Sequence, residues 1–134
     1  MIAKQKIILY VDDDADDREF LCDAIHKANP EVEVVQAENG LEALDYLNSN
    51  KENHNRLPCL IVLDINMPLL DGKETFHCIK NDRVLQALPV IVLSSSEKPA
   101  DKDLFNNLGV EYFTKPTNIS YLSTIASRMV SVCC

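Results

Sequence analysis

Three carboxylates, a hydroxyl and a lysine carry the chemistry this sequence offers. Asp12 and Asp13 stand in a run that also holds Asp14, Asp16 and Asp17, while Asp64, Ser94 and Lys115 each close an apolar segment. Brought together, Asp12, Asp13 and Asp64 repel one another unless a cation, a lysine or protonation relieves them. Mg²⁺ suits such a set, because it takes oxygen ligands, keeps several waters and bridges one or two carboxylates to a phosphate. Lys115 adds a positive point charge and Ser94 a hydroxyl donor, a cradle for an anion developing on Asp64. An aspartate can attack phosphorus and form an aspartyl phosphate. That transfer needs chiefly in-line positioning and charge neutralisation.

These residues meet only if the elements between them place them at one edge. The run Ile7, Ile8, Leu9, Tyr10, Val11 is apolar, rich in β-formers and stopped by aspartates, so a buried strand is predicted over 7–11. Helical spacing follows over 15–28, with Phe20, Leu21, Ala24, Ile25 and Ala28 inward and Asn29-Pro30 as the stop. The alternation repeats: a strand over 32–37, and a helix from 41 with Leu41, Leu44 and Leu47 on one face. A polar loop over 48–57 leads to the most apolar strand, 59–63, and then to a helix over 71–82 with Phe76 and Ile79 inward. The remaining strands are predicted at 89–93 and 110–114, and the remaining helices at 99–108 and 119–130. Continuously apolar strands separated by helices imply a parallel sheet covered on both faces. In such open α/β sheets ligands bind beyond the carboxyl ends of the strands. Asp12 and Asp13, Asp64, Ser94 and Lys115 are all strand-end residues and converge there.

With this placement the sequence resembles the response-regulator receiver family over essentially its whole length. The matching motifs are Val11-Asp12-Asp13, Leu63-Asp64-Ile65-Asn66-Met67-Pro68, Asp71-Gly72, Pro89 to Ser94, and Tyr112-Phe113-Thr114-Lys115-Pro116. The resemblance implies a five-stranded sheet of flavodoxin-like order 2-1-3-4-5. It implies Asp64 as phosphoryl acceptor; Asp13, Asp12, Asp64 and the Asn66 carbonyl around Mg²⁺; and Ser94, Lys115 and the Ser95 amide on the phosphoryl oxygens. Tyr112 holds the place of an aromatic that turns inward as Ser94 moves, and Lys115-Pro116 that of a peptide often cis in this family. Ser94 replaces the commoner threonine. The expectation is a single receiver domain over 1–134 with no output domain, charged by a histidine kinase or phosphotransfer protein. It would signal by protein contact, with a homodimer through 99–130 one route, and would have no enzymatic turnover beyond its own phosphorylation and dephosphorylation.

Composition sets the outer limits. A net charge of −8 across 134 residues argues against nucleic acid as a partner. No stretch approaches the ~20 apolar residues of a membrane span. Five cysteines, an odd number without metal spacing, read as incidental thiols of a reduced cytoplasmic protein, with Cys59 and Cys78 as core hydrophobes. His26, His54 and His77 share no ligand spacing and read as solvated. Three other classes compete. A haloacid-dehalogenase-type phosphatase is disfavoured by Asp64-x-Asn66 and the lack of a cap domain. A flavin binder is disfavoured by carboxylates where a phosphate would sit, and a docking-only receiver by the filled catalytic positions.

Overall fold

The computed structural model describes residues 5–133. Five strands, β1 Ile7–Val11, β2 Glu33–Ala37, β3 Leu60–Leu63, β4 Val90–Ser94 and β5 Glu111–Thr114, form one sheet in the order β2-β1-β3-β4-β5. Every pairing is parallel. Between and after them run α1 Ala15–Ala28, α2 Gly40–Ser49, α3 Gly72–Lys80, α4 Pro99–Asn107 and α5 Ile119–Cys133. Parallel strands need a crossover, and each helix supplies one or covers the sheet.

The two-residue period of a strand splits the core in two. Leu9 and Val11 of β1 face a cluster with Ala43, Leu47, Phe76, Ile79 and Phe105, from α2, α3 and α4. Ile8 and Tyr10 face the other way, onto Leu21 and Ile25 of α1 and Leu122, Ile125, Ala126 and Met129 of α5. All five residues of β1 are buried, as a central strand covered on both faces requires. Caps set the helix starts: Asp14 accepts from the amides of Asp16 and Asp17, Asn39 from Glu42 and Asp71 from Glu74. Gly109, at a φ of 73°, takes the left-handed turn that ends α4.

Several expectations change. Phe20 and Leu41 are each 48% exposed, because α1 buries only Leu21 and Ile25, and α2 turns Ala43 and Leu47 inward. Cys78 is exposed on α3 beside the buried Ile79. A short 3-10 helix at Leu85–Ala87, absent from the sequence reading, seats Leu85 in the core. The polar loop is anchored: the Tyr46 hydroxyl donates to the Arg56 carbonyl at 2.6 Å, and Arg56 pairs with Glu33 of β2. The expectation of wholly reduced thiols is corrected by a disulfide between Cys59 and Cys133. The last helix runs to Cys133, beyond the predicted 130, and its end reaches the residue before β3. Cys134 lies outside the described residues. No peptide among them is cis, so Lys115–Pro116 is trans. No helix among them is long and apolar enough to cross a membrane.

Candidate functional site

Backbone bonds carry Asp12, Asp64 and Lys115 one step past their strands, while Ser94 is the last residue of β4. The Asp12 amide donates to Ala37 and the Asp64 amide to Val11, both at 3.0 Å, and the Lys115 amide donates to Ser94 at 2.9 Å. The sheet register therefore aligns Asp12, Asp64, Ser94 and Lys115 along one edge. Lys115 Nζ lies 2.8 Å from Asp12, 2.8 Å from Asp17 and 3.0 Å from Asp64. Asp12, Asp64 and Ser94 are buried and Asp13 is exposed. Ligand oxygens of Asp12, Asp13 and Asp64 lie within 4.8 Å of one another.

Charge does not balance here. Three carboxylates, Asp12, Asp17 and Asp64, share the one ammonium of Lys115, and Asp13 adds a fourth negative charge beside Asp12 and Asp64, so a divalent cation fits the Asp12, Asp13 and Asp64 donor set. Burial raises the Asp64 carboxyl above its ordinary range; Lys115 works against this, Asp12 adds to it, and a Ser94 hydrogen bond opposes it. Burial works to lower the Lys115 ammonium, but hydrogen bonds to Asp12 and Asp17 and the charge of Asp64 outweigh it and raise the group. Lys115 thus stays cationic across the physiological range.

Residues that sequence reasoning missed hold the site in shape. Tyr10, read only as a strand former, donates its buried hydroxyl to Asp12 at 2.7 Å. Burial, then the charge of Asp12, push its phenol far up, so it remains a donor. The Asp14 amide gives Asp12 a further bond at 2.9 Å, and Arg18 grips the Asp12 carbonyl at 2.7 Å. Asp17, named only within the acidic run, joins Lys115 directly. The acidic spacing was the available signal for Asp17; for Tyr10 there was none beyond its position two residues before Asp12.

The loop after β4 has its own network. The Ser96 amide donates to Ser94 Oγ at 3.2 Å, and Ser96 Oγ donates to the buried Asp101 at 2.6 Å. Asp101 in turn pairs with Lys73 of α3 at 2.6 Å. Tyr112 is half-buried beside Phe105, and its hydroxyl donates to the Ser96 carbonyl at 2.8 Å. Ser95 lies exposed between Ser94 and Ser96, and Asn66 lies exposed two residues past Asp64.

Fold and site together define an α/β domain that gathers carboxylates, a hydroxyl and a lysine at the carboxyl edge of its parallel sheet. The chain belongs to the response regulator receiver domain family, whose profile matches residues 8–127. It is 33% identical over 119 residues to the response regulator Rcp1 of Synechocystis sp., covering 87% of this chain and 81% of that protein. It is 30% identical over 126 residues to the polar-differentiation response regulator DivK of Brucella ovis, with coverages of 92% and 96%. A segment of the sensor histidine kinase CheAY of Helicobacter pylori is 29% identical; it spans 94% of this chain and only 15% of that protein. The structure of the phosphorylated cyanobacterial phytochrome response regulator RcpA matches with a TM-score of 0.83 at 35% identity, covering 96% of this chain and 94% of that one. The Mn²⁺-bound form of Rcp1 matches at 0.80 and 31% identity, covering 94% and 92%. The chain is thus a receiver domain of two-component signalling, a phosphoryl-accepting switch of the kind charged by histidine kinases.

Proposed function

We propose that Asp64 is the phosphoryl acceptor and that a histidine kinase or phosphotransfer protein supplies the group. An Asp64 oxygen attacks phosphorus in line, the P–O bond forms as the P–N bond to the donor imidazole breaks, and the imidazole takes up a proton. The observation that carries this reading is Lys115 Nζ, poised 3.0 Å from Asp64 and held there by Asp12 and Asp17. Ser94 and the Ser95 amide bond the phosphoryl oxygens. Asp12, Asp13, Asp64 and the Asn66 carbonyl would hold Mg²⁺, which neutralises charge on the transferred group; the Mn²⁺ form of the similar Rcp1 supports a divalent ion here. Beyond its own phosphorylation and dephosphorylation the protein turns over no substrate.

Output runs through protein contacts. As Ser94 is drawn to the phosphoryl group, the Ser96 amide loses its acceptor and the Ser96 carbonyl shifts under Tyr112, altering the face of α4, β5 and α5. That face is the proposed surface for a downstream protein or a second copy. Incubation with Mg²⁺ and acetyl phosphate should add one base-labile, hydroxylamine-sensitive phosphoryl group to the wild type and none to Asp64→Asn, read by intact mass. Equal labelling of both proteins rejects the assignment.

A further inference from the structure

We propose that Cys59 and Cys133 form a reversible thiol–disulfide site that moors the end of α5 to the start of β3. The bond joins residues 74 positions apart. Both cysteines are partly exposed, so a small dithiol reaches them. Both redox states have a place in the fold. In the oxidised state the sulfurs are joined across the cluster that Cys59 and Cys133 pack against. In the reduced state the Ile7 carbonyl, 3.1 Å from Cys59 Sγ, can accept its S–H.

The site lies at the opposite end of β3 from Asp64, outside the machinery described above. Closure proceeds by exchange. The Cys133 thiolate attacks a disulfide donor such as glutathione disulfide and expels one donor thiol. The Cys59 thiolate then attacks Cys133 Sγ and expels the second. Two protein thiols are oxidised, the donor is reduced to two thiols, and the two protons pass to its thiolates. Opening is the reverse, driven by a dithiol reductant. Intracellular disulfides are mostly of this transient, sensing kind.

The consequence is mechanical. The buried face of α5, Leu122, Ile125, Ala126, Met129 and Val130, packs on the sheet with or without the bond, so the fold survives reduction. What reduction releases is the last turn of the helix, which the bond holds against the residue before β3.

Alkylation of the air-purified, denatured 134-residue chain with iodoacetamide should modify three of its five cysteines, leaving Cys59 and Cys133 unmodified, and all five after dithiothreitol. Peptide mapping should recover a Cys59–Cys133 cross-link. Five modified thiols without reductant, or a Cys59–Cys134 link, overturns the site. In a glutathione redox series the cross-link should form and open reversibly; a bond that never opens overturns the reversibility. Reduction should lower the thermal midpoint by ~10 °C and speed amide exchange over 127–133 about tenfold. Cys59→Ser with Cys133→Ser should match the reduced protein and ignore dithiothreitol, whereas Cys22→Ser should respond as wild type. A double variant still sensitive to reductant, or unchanged exchange in α5, overturns the mooring.

Discussion

Asp12 and Asp64 are buried carboxylates that repel each other, and the side chains around them divide that strain unequally. Asp12 holds bonds from Tyr10, Lys115 and the Asp14 amide, while Asp64 has Lys115, the Ile65 amide at 2.7 Å and Ser94. Removing one charge while keeping the shape relieves the repulsion. Asp64→Asn should therefore be more stable than wild type in chelator at pH 7, by roughly 1–2 kcal/mol in urea unfolding. The sign of the pH dependence follows from the raised Asp64 carboxyl. Its protonated form is the one the fold favours, so wild-type stability is penalised as pH rises from the ordinary carboxylate range through the raised value. The advantage of Asp64→Asn should accordingly vanish at acid pH; an advantage constant from pH 4 to 8 contradicts the repulsion. Tyr10→Phe removes a donor from a buried charge and should lose about 1–3 kcal/mol, with weaker Mg²⁺ binding in calorimetry.

At the scale of elements, the turn into α3 fixes where Asp64 sits. A Cβ on Gly72 would lie 2.1 Å from the Asp64 carbonyl oxygen and 2.7 Å from Ile65 Cα, and the Gly72 amide donates to Ile65 at 2.7 Å. Gly72→Ala must push the Asp64–Ile65 backbone outward, at a loss of about 1–3 kcal/mol. Labelling by acetyl phosphate should slow on the order of 100-fold, whereas Gly109→Asn, at the end of α4, should label as wild type. The sequence marked Asp71-Gly72 as a helix start; that the glycine touches Asp64 needed the folded loop. The same division holds elsewhere. Apolar runs stopped by Asp12, Asp64 and Ser94 announced β1, β3 and β4, because a strand buried on both faces leaves little choice of side chain, whereas the half-buried edge strand β5 was marked by Tyr112, Phe113 and the Lys115-Pro116 that follows it. Helix faces were less legible: Phe20 and Leu21 are adjacent, and only packing against α5 decides that Leu21 goes in. The Ser96–Asp101–Lys73 network was invisible because its members come from a loop, α4 and α3, and nothing in their spacing links them. Cys59 and Cys133 failed as a pair for the same reason.

Over the whole molecule, stability against acid rests on carboxylates paired across elements. Asp101 is held below the usual range by Lys73, then by Ser96; Glu33 is held down by Arg56 and Glu111 by Arg128. Such depressed groups stabilise the fold above the ordinary carboxylate range and lose that contribution as pH falls through their lowered values. Asp101→Asn should therefore unfold earlier than wild type at pH 7, and the gap should close as pH falls below the ordinary carboxylate range, followed by circular dichroism. The reach of one side chain across the chain has a different consequence. Lys115 meets Asp17 at a separation of 98 residues and Asp64 at 51, and it follows β5, an edge strand that pairs only with β4. A ribosome delivers Asp12, Asp13 and Asp64 long before it delivers Lys115. Until β5 zips onto the sheet, the carboxylates face one another without their ammonium. On the function proposed above, full competence to be charged arrives with the last strand, so a molecule whose β5 is frayed should take label from acetyl phosphate more slowly than the folded chain.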